Sequence, residues 1–209
     1  MRITDLIWDF DGTLFDTYPP MCTDLQRTMA ALDYDFTVEE LIEQFTRSRG
    51  IVLQYCGDRA GMTAAEVDAL YRAYVKEHGH PEAKPFPYVV EFLEKFQAAG
   101  GRNFVFTHRS ESVHEYLARA DLTKYFTDVV SLGKTFARKP DPEGNLYIIQ
   151  KHGCDKSRMM AVGDRELDVL AAKNAGIEAC LFTQERVESA ADHQIAAFTE
   201  LDAIVGLTD

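Results

Sequence analysis

The apolar positions of this chain change their period along its length. Between residues 16 and 84 they recur every three or four places: Met21, Leu25, Met29 and Leu32, then Leu41, Ile42 and Phe45, then Val67, Leu70, Tyr71, Tyr74 and Val75. That is the spacing of helix faces turned towards a core. Polar residues mark the starts. Thr37-Val38-Glu39-Glu40 and Thr63-Ala64-Ala65-Glu66 both read as capping boxes, in which the Thr side chain accepts one orphan N–H and the Glu three places on accepts another. Pro19 and Pro20 are tolerable only at or before a first turn, which places the start of the first helix. Residues 16–84 thus predict an all-helical unit of three helices.

Outside that segment the apolar residues come in short runs. Ile3, Leu6, Ile7 and Trp8 open the chain as a buried strand, and residues 103–106, 129–132, 159–162 and 178–182 predict four more. Helical patterns lie between them, clearest over 88–99, where Val89, Phe92, Leu93 and Phe96 are followed by a stop at Gly100-Gly101. This alternation predicts an α/β fold, a Rossmann-like parallel sheet with helices on both faces. The opening strand has no partner among the helices that follow it, so it must join that sheet. The expected organisation is a core of residues 1–15 and 85–209, interrupted by a helical cap over 16–84.

Composition narrows the partners. The 209 residues carry 34 acidic against 22 basic side chains, a formal charge of -12. Such a surface repels nucleic acid and anionic membranes. Four cysteines at positions 22, 56, 154 and 180 show neither metal-ligand nor disulfide-framework spacing. With no signal peptide and no membrane-length apolar segment, the sequence reads as that of a cytoplasmic protein, monomer or homodimer, acting on a small molecule.

Several strands end in polar residues. Asp9 and Asp11 follow the first, with Gly12 free to take a positive φ at the bend, and two carboxylates so close suit Mg²⁺ with a phosphate. Thr107, His108 and Arg109 follow the second, where a hydroxyl and fresh N–H groups can hold an anion. Gly163-Asp164 follows another, with Asp168 returned to the same side by one helical turn. Between them, Lys139 precedes Pro140 in a stiff loop, either as a compact charge for a phosphate oxygen or as a surface lysine paired with Asp141.

Asp9-Phe10-Asp11-Gly12-Thr13, Thr107, Lys139-Pro140 and Gly163-Asp164 with Asp168 resemble, in order and rough spacing, the four-motif signature of the haloacid dehalogenase-like hydrolase superfamily. The helical insertion resembles its subfamily I cap, as in phosphoglycolate-phosphatase-like members, and the resemblance spans essentially the whole chain. It implies a Mg²⁺-dependent phosphatase acting on a small phosphorylated metabolite, phosphoglycolate-like or a sugar phosphate. Asp9 is then the nucleophile that forms an aspartyl-phosphate, and Asp11 the general acid and base. Asp9, the Asp11 backbone carbonyl and Asp164 hold the metal. Gly12, Thr107, the His108 amide and Lys139 hold phosphate, and Asp168 orients Lys139 or a metal-bound water. One departure stands out, because His108 occupies a place where the family often has Asn or Ser. Its side chain either reaches the leaving group or serves a local hydrogen bond. Arg47 and Arg49, flanking a turn that ends at Gly50, are either solvated or the cap residues that meet a substrate carboxylate or second phosphate. A sugar phosphomutase of the same superfamily and a non-catalytic phosphate-binding protein are the alternatives. A nucleotide-binding loop at Gly133-Lys134-Thr135 is rejected for want of its first glycine, and Glu77, His78, His80 and Glu82 match no metal-ligand spacing.

Overall fold

The computed structural model describes residues 2–79, 81–131 and 136–207. In chain order its elements are β1 (Asp5–Trp8), α1 (Tyr18–Ala30), α2 (Val38–Arg47), α3 (Arg49–Ala60), α4 (Ala64–His78), α5 (Val89–Ala98), β2 (Arg102–Phe106), α6 (Ser112–Arg119), β3 (Phe126–Val130), α7 (Glu143–His152), β4 (Met159–Gly163), α8 (Glu166–Ala175), β5 (Glu178–Phe182), β6 (His193–Ile195) and α9 (Leu201–Val205). They fall into two units, Met1–Phe15 with Pro85–Asp209, and Asp16–Lys84.

The smaller unit holds α1 to α4 around a core that includes Leu25, Met29, Phe36, Leu41, Val52, Cys56 and Val67. At the start of α4 the capping box is complete: Thr63 Oγ1 accepts the Glu66 N–H at 3.3 Å, and the Glu66 carboxylate accepts the Thr63 N–H at 2.7 Å. Only half of the expected box forms at α2. Thr37 Oγ1 accepts the Glu40 N–H, but the Glu40 carboxylate is drawn to Arg59 at 2.7 Å. The sequence pattern missed α3 altogether. Ser48 caps it by accepting the Ile51 N–H, and Gly50, expected in a turn, lies in its first turn. Gly50 and Gly57 each weaken a helix by about 1 kcal/mol relative to Ala, which masks the pattern. Packing explains Gly57, since a Cβ there would meet the Met62 carbonyl oxygen at 2.5 Å.

In the larger unit the sheet is parallel throughout, in the order β3-β2-β1-β4-β5-β6. Alternate side chains of β1 feed two layers. Ile7 joins Phe104, Phe106, Ile148, Ala161 and Val169 on one face. On the other, Trp8 is fully buried against Phe92 and Phe198, with ring centroids 5.7 and 6.0 Å away, and its Nε1–H donates to Asn103 Oδ1 at 3.0 Å. Burying an indole of this size contributes on the order of 4–6 kcal/mol at about 25 cal/mol per Å². β3 begins three residues before the predicted strand 129–132, whose last residue lies outside the described residues, as do Gly133, Lys134, Thr135 and His80. Trp8 pairs with Val105 of β2 on one side and Val162 of β4 on the other. Crossovers thus leave β1 in both directions, and ligands of open α/β sheets bind at the carboxyl ends of strands at such a switch point. Among the described residues no helix is long and apolar enough to cross a membrane.

Candidate active site

At its carboxyl end β1 is still anchored to the sheet, because the Asp9 N–H donates to the Val162 carbonyl at 2.9 Å. Asp9 is therefore held by a central strand, and its side chain is 3% exposed. The chain then turns at Gly12, whose φ of +78° suits glycine, and the Gly12 N–H donates to the Phe15 carbonyl at 2.9 Å. Gly12 thus shapes the turn, with its amide bonded within it. The next motif residue, Thr13, donates its hydroxyl to Asp164 Oδ1 at 3.4 Å, tying the end of β1 to the loop after β4.

Lys139 arrives from the loop before α7 and is buried. Its Nζ donates to Asp9 Oδ1 and to Asp168 Oδ1, both at 2.7 Å, so the pairing with Asp141 does not form. Asp141 instead caps α7 by accepting the Glu143 N–H at 2.9 Å. Asp168 lies in the first turn of α8, where its second oxygen accepts the Arg165 N–H at 3.2 Å. Gly163 makes room for it: a Cβ there would stand 2.4 Å from the Asp168 Cβ.

One ammonium thus faces two carboxylates, and this asymmetry sets the electrostatics. Burial pushes the Asp9 carboxyl up from 3.8 to about 6; Lys139 opposes the rise and Asp168 adds to it. For Lys139 burial alone acts downward, but Asp168 and Asp9 together outweigh it and raise the ammonium above 10.5. The lysine stays charged, and Asp9, although raised, is still mostly ionised at pH 7.

The donor set fits a hard cation. Asp9 Oδ2 is buried with no hydrogen-bond partner among the described residues, and one oxygen from each of Asp9, Asp164 and Asp168 falls within 4.8 Å of the others. Both Asp168 oxygens already accept hydrogen bonds, from Lys139 and from the Arg165 amide. Asp9 and Asp164 are left as the carboxylates for a metal, and an all-oxygen set of this kind suits a divalent ion that keeps several waters.

Thr107 follows β2 with its N–H bonded to the Val130 carbonyl at 3.0 Å, and its Oγ1 accepts the Arg109 N–H at 3.0 Å. His108 serves a local bond: its Nε2 accepts the Lys139 backbone N–H at 3.2 Å, and burial, with Lys139 next, lowers the imidazole from 6.5 to about 4. Neutral at pH 7, the ring therefore carries its proton on Nδ1 and steadies the Lys139 loop. In the helical unit Arg49 pairs with Asp68 and lies over the Tyr71 ring at 5.0 Å, whereas Arg47 is exposed at the end of α2. Two arginines gained no role from the sequence. Arg109 Nη2 stands 3.4 Å from Asp11 Oδ1, and Arg165 Nε stands 3.9 Å from oxygens of both Asp164 and Asp168. Their adjacency to known motif residues was the available signal.

Comparison with known proteins agrees with this geometry. The model of the haloacid dehalogenase-like hydrolase family matches residues 6–182. A phosphoglycolate phosphatase of Vibrio parahaemolyticus is 30% identical over 82% of this chain and 79% of its own length. The pyrophosphatase PpaX of Bacillus velezensis is 30% identical over 84% and 81%. Among solved structures, a hydrolase from Streptococcus pneumoniae TIGR4 superposes with a TM-score of 0.71 at 26% identity, covering 99% of this chain and all of that one. The chain belongs to the haloacid dehalogenase-like hydrolase family and is a phosphatase-type enzyme of the phosphoglycolate-phosphatase-like kind.

Proposed function

We propose that the protein is a Mg²⁺-dependent phosphatase that cleaves a small phosphorylated metabolite through an aspartyl-phosphate on Asp9. The observation that carries the reading is the buried contact of Lys139 with Asp9 and Asp168 at the end of β1, beside an Asp9 oxygen that has no partner among the described residues. Asp9 and Asp164, with the Asp11 carbonyl, would hold the metal, which when bound would supply positive charge to a phosphate oxygen.

With Asp9 Oδ2 left for the cation it would hold, Oδ1 would attack phosphorus, and a phosphate oxygen would replace it as partner of the Lys139 ammonium. The Asp9–phosphorus bond forms as the ester bond breaks, and Asp11 gives its proton to the leaving oxygen. In the second half Asp11 takes a proton from the water that attacks the acyl phosphate, releasing inorganic phosphate and restoring Asp9. Thr107 and the adjacent amide steady the transferring oxygens.

The test is hydrolysis of p-nitrophenyl phosphate with and without Mg²⁺, followed by a panel of phosphorylated metabolites, for the wild type and Asp9→Asn. Turnover is expected only with the metal, and the substitution should lower kcat by about 10³-fold or more. Full activity in chelator, or an Asp9→Asn protein that still turns over normally, overturns the reading. Isomerised sugar phosphate without free phosphate would mark a mutase instead.

A further inference from the structure

Arg109 has no part in the scheme above, yet it is built into the site. Its side chain is 8% exposed, and the guanidinium lies over the Tyr116 ring at 4.5 Å and the Phe10 ring at 5.4 Å. Phe10 stands between the two motif aspartates, is fully buried, and stacks on Phe15 at 4.7 Å. The guanidinium also donates a hydrogen bond to Tyr116. Two rings and a hydroxyl thus fix the plane of the fork, leaving little rotamer freedom to lose when a ligand arrives.

What the fork faces is Asp11. The separation from Nη2 to Asp11 Oδ1 is 3.4 Å, longer than the roughly 2.7–2.9 Å of a direct charge-assisted hydrogen bond. Asp11 is the more open of the two, with its side chain 21% exposed. The site's cations therefore divide the work. Lys139 stands on Asp9, where the phosphoryl group is transferred; Arg109 stands on Asp11, where the leaving oxygen takes its proton. A guanidinium is a planar fork of donors whose geometry matches the paired oxygens of a carboxylate or phosphate.

We propose that Arg109 recognises an oxyanion on the leaving group, so that preferred substrates are phosphate esters or anhydrides whose departing half carries its own carboxylate or phosphate. This rests on the reading of Asp11 as the proton donor. A buried, pre-oriented cation beside the departing oxygen favours an anionic leaving group over a neutral one of equal size, and a fork built for two oxygens is left undersatisfied by a lone hydroxyl.

Three substrates separate the possibilities: 2-phosphoglycolate with a carboxylate, pyrophosphate with a second phosphate, and 2-hydroxyethyl phosphate, which matches the first in size but has a neutral alcohol. With Mg²⁺ present, wild-type kcat/KM should favour one or both anionic substrates over the neutral one by about 10- to 100-fold, the worth of a charge-assisted contact. Preference for only the first assigns the fork to carboxylates, and preference for only the second to phosphates; either supports the inference. Arg109→Gln should collapse that ratio, while Arg109→Lys, which keeps the charge and loses the fork, should retain part of it. Free glycolate should inhibit the wild type competitively where ethylene glycol does not, a measurement that stands even if Arg109→Gln fails to fold. The inference is overturned if the wild type treats the three substrates alike, or if Arg109→Gln lowers all of them by one factor, which would make the arginine a support for Asp11 only. p-Nitrophenyl phosphate distinguishes the two levels. If it is turned over while the ratio is unmoved, only the Arg109 assignment falls; if it is not turned over at all, the phosphatase reading falls first.

Discussion

Replacing Lys139 by Met keeps most of the length of the side chain and removes its charge. The ammonium lies 2.7 Å from both Asp9 Oδ1 and Asp168 Oδ1, with all three side chains at most 4% exposed. The substitution therefore strands two carboxylates in a site that water barely enters. Removing one partner of a buried pair costs about 3–5 kcal/mol, a large share of the roughly 5–15 kcal/mol that holds a domain together. For a chain of this size each kcal/mol lowers Tm by about 2–4 °C, so a fall of about 6–20 °C is expected. Proton uptake limits the damage. In the wild type Asp9 is already raised from 3.8 to about 6, and a carboxyl raised on folding favours the folded state below its unfolded value and loses that contribution as pH climbs through the folded one. Without Lys139 the folded value climbs further, which moves the window towards neutrality. Lys139→Met should therefore be close to the wild type at pH 5 and far below it at pH 8. Thermal melts followed by circular dichroism at the two pH values, in chelator, make the comparison. Adding Asp168→Asn should recover part of the loss by removing one stranded charge. A variant that melts within 1–2 °C of the wild type at pH 8, or whose deficit is the same at both pH values, would refute the shared-cation account, since about 1 kcal/mol is the worth of an exposed pair.

Two further substitutions or titrations probe the supports of the site. Gly163→Ala would drive a methyl into the Asp168 side chain, so it should cost stability by about 1–3 kcal/mol and lower kcat; normal kinetics with an unchanged melt would show that Asp168 has room to move. The His108 imidazole should titrate near 4 by NMR, with its share of stability present above 6.5 and lost as pH falls towards 4; a midpoint at or above 6 would mean that the ring is solvated and not bonded to the Lys139 amide.

The sheet was legible where a strand is buried on both faces. β4 is apolar throughout and β1 and β5 are apolar after a first acidic residue, and the predicted bounds differ from the observed by no more than two residues. β3 and β6 form the two edges, and their burial is partial. Only Val130 of β3 is fully covered, so the apolar signal began late; β6 has three residues with Ile195 alone buried, too little for any pattern. In the helical unit, α1, α2 and α4 announced themselves by their apolar spacing and α3, although capped by Ser48, did not, because glycine at position 57 answers to the close approach of Met62, a contact that no local rule contains. The same division runs through the site. Asp9, Asp164, Lys139 and Asp168 were readable because strand ends and helix starts fix them. Arg109 and Arg165 were not, since a surface arginine and a buried one look alike until the aromatic rings and carboxylates of distant segments close around them.

The position of β1 has a consequence for how the protein is made. The strand that leads into Asp9 is made before both of its neighbours, which open at Arg102 and Met159. At about 5–20 residues per second, β1 waits on the order of 5 to 20 s for β2 and several seconds more for β4. A chain ended before Lys139 thus carries Asp9 without the ammonium and the Asp164 and Asp168 carboxylates that surround it in the folded protein.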